Sequence, residues 1–221
     1  VSASVRTNAL TETVHWPRSR WQRACRALRQ ADPKLSAVMD RVGSRPMQQA
    51  LYASTFDALA RAIAYQQLSG KAAGTIYGRF LAKYGDGVTP DARRVARAQM
   101  RGLRSVGLSR GKSDYIRGLA RSQVEGELPG RGELDQMDDD NIIGALTSQK
   151  GVGEWTVQML LMSWLGRPDV LAPNDLGLQK GMAIVDGIDS LPTPAQLTER
   201  GEVWRPWRSV ASWYLWRATE L

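Results

Sequence analysis

Apolar side chains recur along this 221-residue chain at the intervals of one helix face rather than in the alternation of a strand. Phe56, Leu59, Ala60 and Ile63 predict a helix over 56–65. Ser69 is a capping residue type, so a second helix is expected from Lys71 to Tyr84, stopping before Gly85-Asp86-Gly87. The same pattern predicts helices over 90–99, 112–125, 139–148, 154–165, 176–184, 194–200 and 206–220, separated by short Gly/Pro/Asp turns. No strand alternation is sustained, and there is no internal repeat or low-complexity linker. The expected fold class is all-α. With 43% hydrophobic residues, the chain can build one large core or two small ones.

Charge adds a partner to this picture. The formal net charge is +8, and 24 of the 30 basic residues are arginine, whose planar guanidinium suits bidentate phosphate contacts. Nucleic acid is the first partner expected. Cys25 is the single cysteine, which excludes a disulfide framework, a multi-cysteine zinc site and a four-cysteine iron–sulfur cluster. It reads as a helix-face residue. His15, the single histidine, stands beside Trp16 close to the N-terminus and reads as incidental, so histidine-dependent nucleophilic catalysis has no support. Neither an 18-residue apolar run nor a signal-peptide hydrophobic region is present. The expectation is a protein without a membrane partner, cytoplasmic and nucleoid-associated in a prokaryote or nuclear in a eukaryote.

The richest stretch runs from Leu146 to Asp175. Gly151-Val152-Gly153 forms a glycine hairpin that opens a tryptophan-led helix, and a lone aspartate follows in Pro173-Asn174-Asp175-Leu176. Backbone amides at such a helix start can seat a phosphate, and Asp175 stands at the mouth of the next helix. On position alone, Asp175 reads as the cap of that helix. The acidic run Asp135-Gln136-Met137-Asp138-Asp139-Asp140 reads as a helix start, because carboxylates complement the positive end of the dipole. Trp155, Met159 and Met162 have helical spacing, which by itself describes a core stripe.

Taken together, Leu146-Thr-Ser-Gln-Lys-Gly-Val-Gly-Glu-Trp-Thr-Val157, Arg167-Pro-Asp-Val and Pro173-Asn-Asp-Leu-Gly-Leu178 resemble the helix-hairpin-helix DNA glycosylase superfamily, in its AlkA-like 3-methyladenine branch. Ala62-Ile-Ala-Tyr-Gln-Gln-Leu-Ser69 resembles that family's gap-filling segment. Leu103-Arg-Ser-Val-Gly-Leu-Ser109 with Lys112 resembles its internal turn, and Trp204-Arg-Pro-Trp-Arg-Ser209 through Trp216 its C-terminal pocket helix. The resemblance implies a monofunctional base-excision enzyme that flips a damaged base out of double-stranded DNA and hydrolyses its N-glycosidic bond. It makes Asp175 the catalytic carboxylate. Trp155, Met159 and Trp216 would line the base pocket, and Gln66, Gln67, Leu68 and Ser69 would fill the emptied duplex. Gly151, Gly153 and Lys150 would bind phosphate. The carbonyls of Thr147, Gln149 and Val152 would hold a structural monovalent cation, Na or K, with no cofactor needed for catalysis.

Relatives that cut the strand through a Schiff base carry a lysine where this chain has Trp155, and an indole cannot form the imine. Met159 replaces a pocket tyrosine of some alkyl-base enzymes, and Gln67 stands where some members insert an apolar wedge. The architecture implied is a monomer without the N-terminal β-domain of longer members. Residues 58–165 would form a central helical lobe, with 1–57 and 166–221 making the terminal lobe. Two other functions stay open on the sequence: a same-fold glycosylase for uracil, mismatched or oxidised bases, and a damage-binding module without turnover.

Overall fold

The computed structural model describes residues 14–221, so the first part of the 1–57 segment lies outside the described residues. Nearly all its regular structure is helical, as expected. The exception is one antiparallel pair of two-residue strands, β1 (Val14–His15) with β2 (Gln48–Gln49). Contacts divide the chain into two compact units, Leu51–Val157 and residues 14–50 with Gln158–Leu221.

In the first unit, α3 (Thr55–Tyr65) starts where the Ser54 side chain accepts from the Asp57 amide. It buries Phe56, Leu59, Ala60, Ile63 and Ala64 against α4 (Gly70–Tyr84) and α7 (Arg110–Glu125). Helix α4 answers with Ala73, Tyr77, Phe80 and Tyr84, whose rings follow one another along its buried face. The helix expected over 90–99 is confined to α5 (Ala92–Ala96), and a further short helix that the sequence pattern did not mark follows it, α6 (Met100–Arg104). A tight turn ends the first when the Ala98 amide reaches back to Val95, and the Gln99 carbonyl opens the second by accepting from Gly102 and Leu103. Two further helices complete the unit's helical hairpin region, α8 (Arg131–Gln136) and α9 (Asp139–Thr147). Asp138 caps α9 through the Asn141 amide at 2.8 Å, the helix-start role its acidic run predicts.

The second unit contains two helices that the sequence pattern does not mark. In α1 (Arg18–Ala31), Trp21, Ala24, Cys25 and Leu28 share the buried face at i, i+3, i+4 and i+7, a pattern partly hidden by the polar residues around it. Helix α2 (Pro33–Val42) begins with Pro33 and takes Asp32 as its cap. Both pack with α13 (Arg208–Ala218), and α13 packs on α11 (Leu176–Asp186). A Cβ on Gly181 would lie within 2.8 Å of Leu215 Cα, so only glycine lets α11 and α13 approach this closely. Helix α12 (Pro194–Gly201) completes the set.

The division between units falls inside α10 (Glu154–Ser163), at Val157–Gln158. The later part of that helix belongs to the second unit, where the Ser163 carbonyl accepts from Ala50 at 2.7 Å.

Candidate functional site

The glycine hairpin joins α9 to α10 through a turn in which the Gln149 amide bonds Leu146 O and the Val152 amide bonds Gln149 O at 3.1 Å. Its two glycines have different causes. Gly151 has φ +88°, and a Cβ there would come within 2.5 Å of Tyr115 Cγ, so this residue is glycine for packing inside the protein. Gly153 is exposed, has no left-handed backbone, and a Cβ on it would meet nothing within 4 Å. Of the two, only Gly153 has open space where a Cβ would stand. Lys150 is exposed beside them.

The four residues of the gap-filling segment separate into two kinds. Gln66 donates its side-chain amide to Gly151 O at 3.1 Å, and Ser69 caps α4 by accepting from Ala72. Both side chains are engaged within the protein. Gln67 and Leu68 between them are exposed, Leu68 at 42%. Gln67 also holds φ +57°, a left-handed conformation that non-glycine residues rarely adopt and that often marks a functional turn. Lys112 steadies this turn from below: its ammonium donates to Ala64 O at 2.9 Å and to Gln66 O at 2.6 Å. Burial pushes its pKa below the usual lysine value. Gln66, Lys112 and Tyr115 therefore tie the segment, the hairpin and the start of α7 together, a pairing between motif segments that the sequence does not show.

In the second unit Asp175 caps α11. Its Oδ1 accepts from the Leu178 amide at 2.8 Å and from the Trp216 indole at 2.9 Å. Two neutral donors thus converge on one carboxylate oxygen at a helix N-terminus and fix the direction of the group. The resemblance makes Trp216 a pocket face; its N–H also orients the carboxylate. Gly177 makes this possible, because a Cβ there would lie 2.9 Å from Trp216 Cδ1 and 3.0 Å from Asp175 Oδ1. The loop leading to Asp175 is anchored by Asp169, which takes Arg208 at 2.8 Å and Arg205 at 2.7 Å, and by Ser209, whose hydroxyl donates to Arg167 O. These supports lie within the Arg167–Val170 and Trp204–Ser209 segments that carry the resemblance, but their pairing across the chain is not visible in the sequence.

Trp155, the second residue of α10, has 45% of its surface exposed, and Met159 lies one turn on, half-buried on the same face. Among the described residues no cluster of His, Cys, Asp or Glu could hold a metal ion, and no helix is long and apolar enough to cross a membrane.

Comparison with known proteins identifies the family. Residues 60–206 match the model of the HhH-GPD superfamily of base excision DNA repair proteins. DNA-3-methyladenine glycosylase 1 of Schizosaccharomyces pombe is 32% identical over 166 residues, covering 75% of this chain and 73% of the relative. The solved structure of the 3-methyladenine DNA glycosylase Mag1 from that yeast, in complex with abasic DNA, is similar with a TM-score of 0.83 and 30% identity, over 90% of this chain and 97% of that one. A DNA-3-methyladenine glycosidase structure from Bacillus halodurans gives 0.78 and 31%, over 94% and 91%. With two thirds of its length matching the family model, the chain belongs to the HhH-GPD superfamily of base excision DNA repair proteins.

Proposed function

We propose that this protein is a monofunctional, monomeric DNA glycosylase that flips alkylated bases such as 3-methyladenine out of damaged duplex DNA and hydrolyses their N-glycosidic bond. The names of its relatives support the substrate class. The observation that carries the reading is the Asp175 carboxylate, clamped at the start of α11 by the Leu178 amide and the Trp216 indole.

Breaking the bond between sugar C1′ and base nitrogen sends the electron pair to the base and leaves positive charge on the sugar. An oriented carboxylate stabilises that charge more than it stabilises the neutral ground state, which is the differential binding that accelerates a reaction. Water oxygen then bonds to C1′ and gives up its proton. An alkylated purine already carries positive charge, so it departs as a neutral base. The π-faces of Trp155 and Trp216 would attract the cationic base by roughly 0.5–2 kcal/mol, with Met159 as a soft, adaptable wall.

Exposed Gln67 and Leu68 are the residues suited to enter the emptied duplex, and the Gly153 amide region with Lys150 to grip a phosphate. Carbonyl oxygens of Thr147, Gln149 and Val152 are neutral, hard donors of the kind a monovalent cation takes; Gln149 O already accepts from Val152 and keeps a second lone pair. Such a cation would add positive charge to the phosphate seat.

Asp175→Asn tests the reading. It keeps a capping side chain and removes the charge, so excision should fall about 10²–10³-fold while duplex affinity is retained. Excision within tenfold of the parent overturns the assignment. A panel of methylated, etheno, uracil and oxidised bases should show the alkylated ones excised first. Borohydride should trap no protein–DNA adduct, since α10 has Trp155 as its second residue and carries no lysine for imine formation.

A further inference from the structure

The positive charge of this chain is concentrated in one place. Residues 92–113 hold six arginines, one lysine and no acidic side chain. The other 199 residues carry 23 basic and 22 acidic side chains, leaving only +1 of the chain's +8 outside this stretch. Two of the seven cations have internal structural roles: Lys112 holds the 64–66 carbonyls, and Arg94 donates to Gly85 O and Lys83 O. The other five, Arg93, Arg97, Arg101, Arg104 and Arg110, are exposed, and no described residue forms a hydrogen bond or ion pair with their side chains.

These arginines stand on a packed platform rather than a floppy tail. Val95, Leu103, Val106 and Leu108, interleaved with them, are buried, and Lys83 ties the end of α6 down through Gly102 O and Ser105 Oγ at 3.2 and 2.8 Å. Arg101, Arg104 and Arg110 line an open depression of about 740 Å³, and Arg93 and Arg97 line a smaller one of about 180 Å³ beside Val124. Five exposed guanidiniums on consecutive elements, with no countercharge bound to them among the described residues, make a positive field that favours a polyanion with repeated charges.

We propose that the Arg93–Arg110 face is a second, lesion-independent seat for the phosphates of duplex DNA, holding the molecule on undamaged DNA apart from the excision chemistry. The identity of the polyanion rests on the DNA-directed reading above; the existence of the seat rests on the arginines. Guanidiniums that neutralise phosphates release counterions, so each contact steepens the salt dependence of binding by about 0.9 in log K against log salt.

The test is the triple variant Arg93→Gln, Arg97→Gln, Arg101→Gln, compared with the parent on long undamaged duplex across a salt series. The slope should become shallower by about 3 units, with weaker binding at low salt, while single-turnover excision from saturating lesion duplex stays at the parent rate. The corresponding triple lysine variant should keep the parent slope, because the effect is one of charge. An unchanged slope in the glutamine variant, or a slope lost equally in the lysine variant, overturns the proposal. Asp175→Asn should leave the slope untouched, so failure of the chemistry and failure of this surface are read separately.

Discussion

The second unit uses the same device twice, and the two copies differ in one respect that separates structure from chemistry. Asp32 and Asp175 each cap a helix, and each accepts a hydrogen bond from a tryptophan indole: Trp204 at 2.7 Å and Trp216 at 2.9 Å. At Asp32 the donors divide the two oxygens, with the α2 amides on Oδ1 and the indole on Oδ2, and Arg200 adds a countercharge to Oδ2 at 2.6 Å. The residue is 3% exposed. At Asp175 the helix amide and the indole both take Oδ1, and the residue is only half-buried. A carboxylate enclosed and held on both oxygens can serve only the fold. One oriented through Oδ1 by an amide and an indole at a half-open position is still reachable.

Removing each charge sharpens the contrast most. Asp32→Asn should destabilise the protein by about 3 kcal/mol, because it breaks a buried pair and weakens the Arg200 and Trp204 anchors, and thermal denaturation should show a midpoint lower by about 10 °C. Asp175→Asn should move the midpoint by less than a quarter of that; equal losses would erase the distinction between the two pairs.

Next in size is Trp216→Phe. It keeps one aromatic ring and removes the part of the indole that carries the N–H on Asp175, so a hydrogen bond to a charged group is lost, worth about 1.5–3 kcal/mol. Excision kcat should fall roughly 10- to 100-fold with little change in KM, read by steady-state assay. A change confined to KM would mean that Trp216 only stacks on the base.

Smaller effects divide the hairpin glycines. Gly151→Ala should cost about 1–3 kcal/mol of stability through its left-handed backbone and the Tyr115 ring. Gly153→Asp should leave the melting midpoint near the parent value and weaken binding to damaged and undamaged duplex alike by about tenfold, since the new anion meets a phosphate. Filter-binding and melting curves on both variants check this. Gly151 substitutions are therefore a poor probe of phosphate binding, because the first thing they meet is the protein itself.

The smallest effect is a titration. Burial opposes the charge on Asp32, but bonds from Trp204, the Leu35 amide and Arg200 outweigh it and hold its carboxyl below the usual value of 3.8. The folded state thus keeps Asp32 ionised more firmly than the unfolded chain does. Its contribution to stability is complete above about pH 4 and fades as the pH falls through that lowered pKa. Acid unfolding of the Asp32→Asn variant should lack this component, so its stability should fall less between about pH 4 and about pH 2 than the parent's.

Local chemistry by itself determined much of this protein. Periodicity and capping residues marked α3, α4, α7 and the helices from α9 onward, because a helix face and a cap are set by neighbours three or four residues apart. The hairpin, the aspartate and the arginine excess were legible for the same reason: each is a contiguous motif or a count. Helices α1 and α2 were not, since five arginines interrupt the apolar positions of α1, α2 is only ten residues long, and packing against α13 is what sets their buried faces.

What only the tertiary structure decided lies in contacts between residues distant in sequence. That Gly151 answers to Tyr115, that Gln66 is tied to the hairpin, that Gly177 admits Trp216 to Asp175, and that Asp32 is neutralised by Arg200 all depend on distances of a few ångströms set by helix packing. A carboxylate, an indole or a glycine looks the same in a sequence whatever it faces. Its energy, and so its role, comes from the neighbour that the fold brings to it.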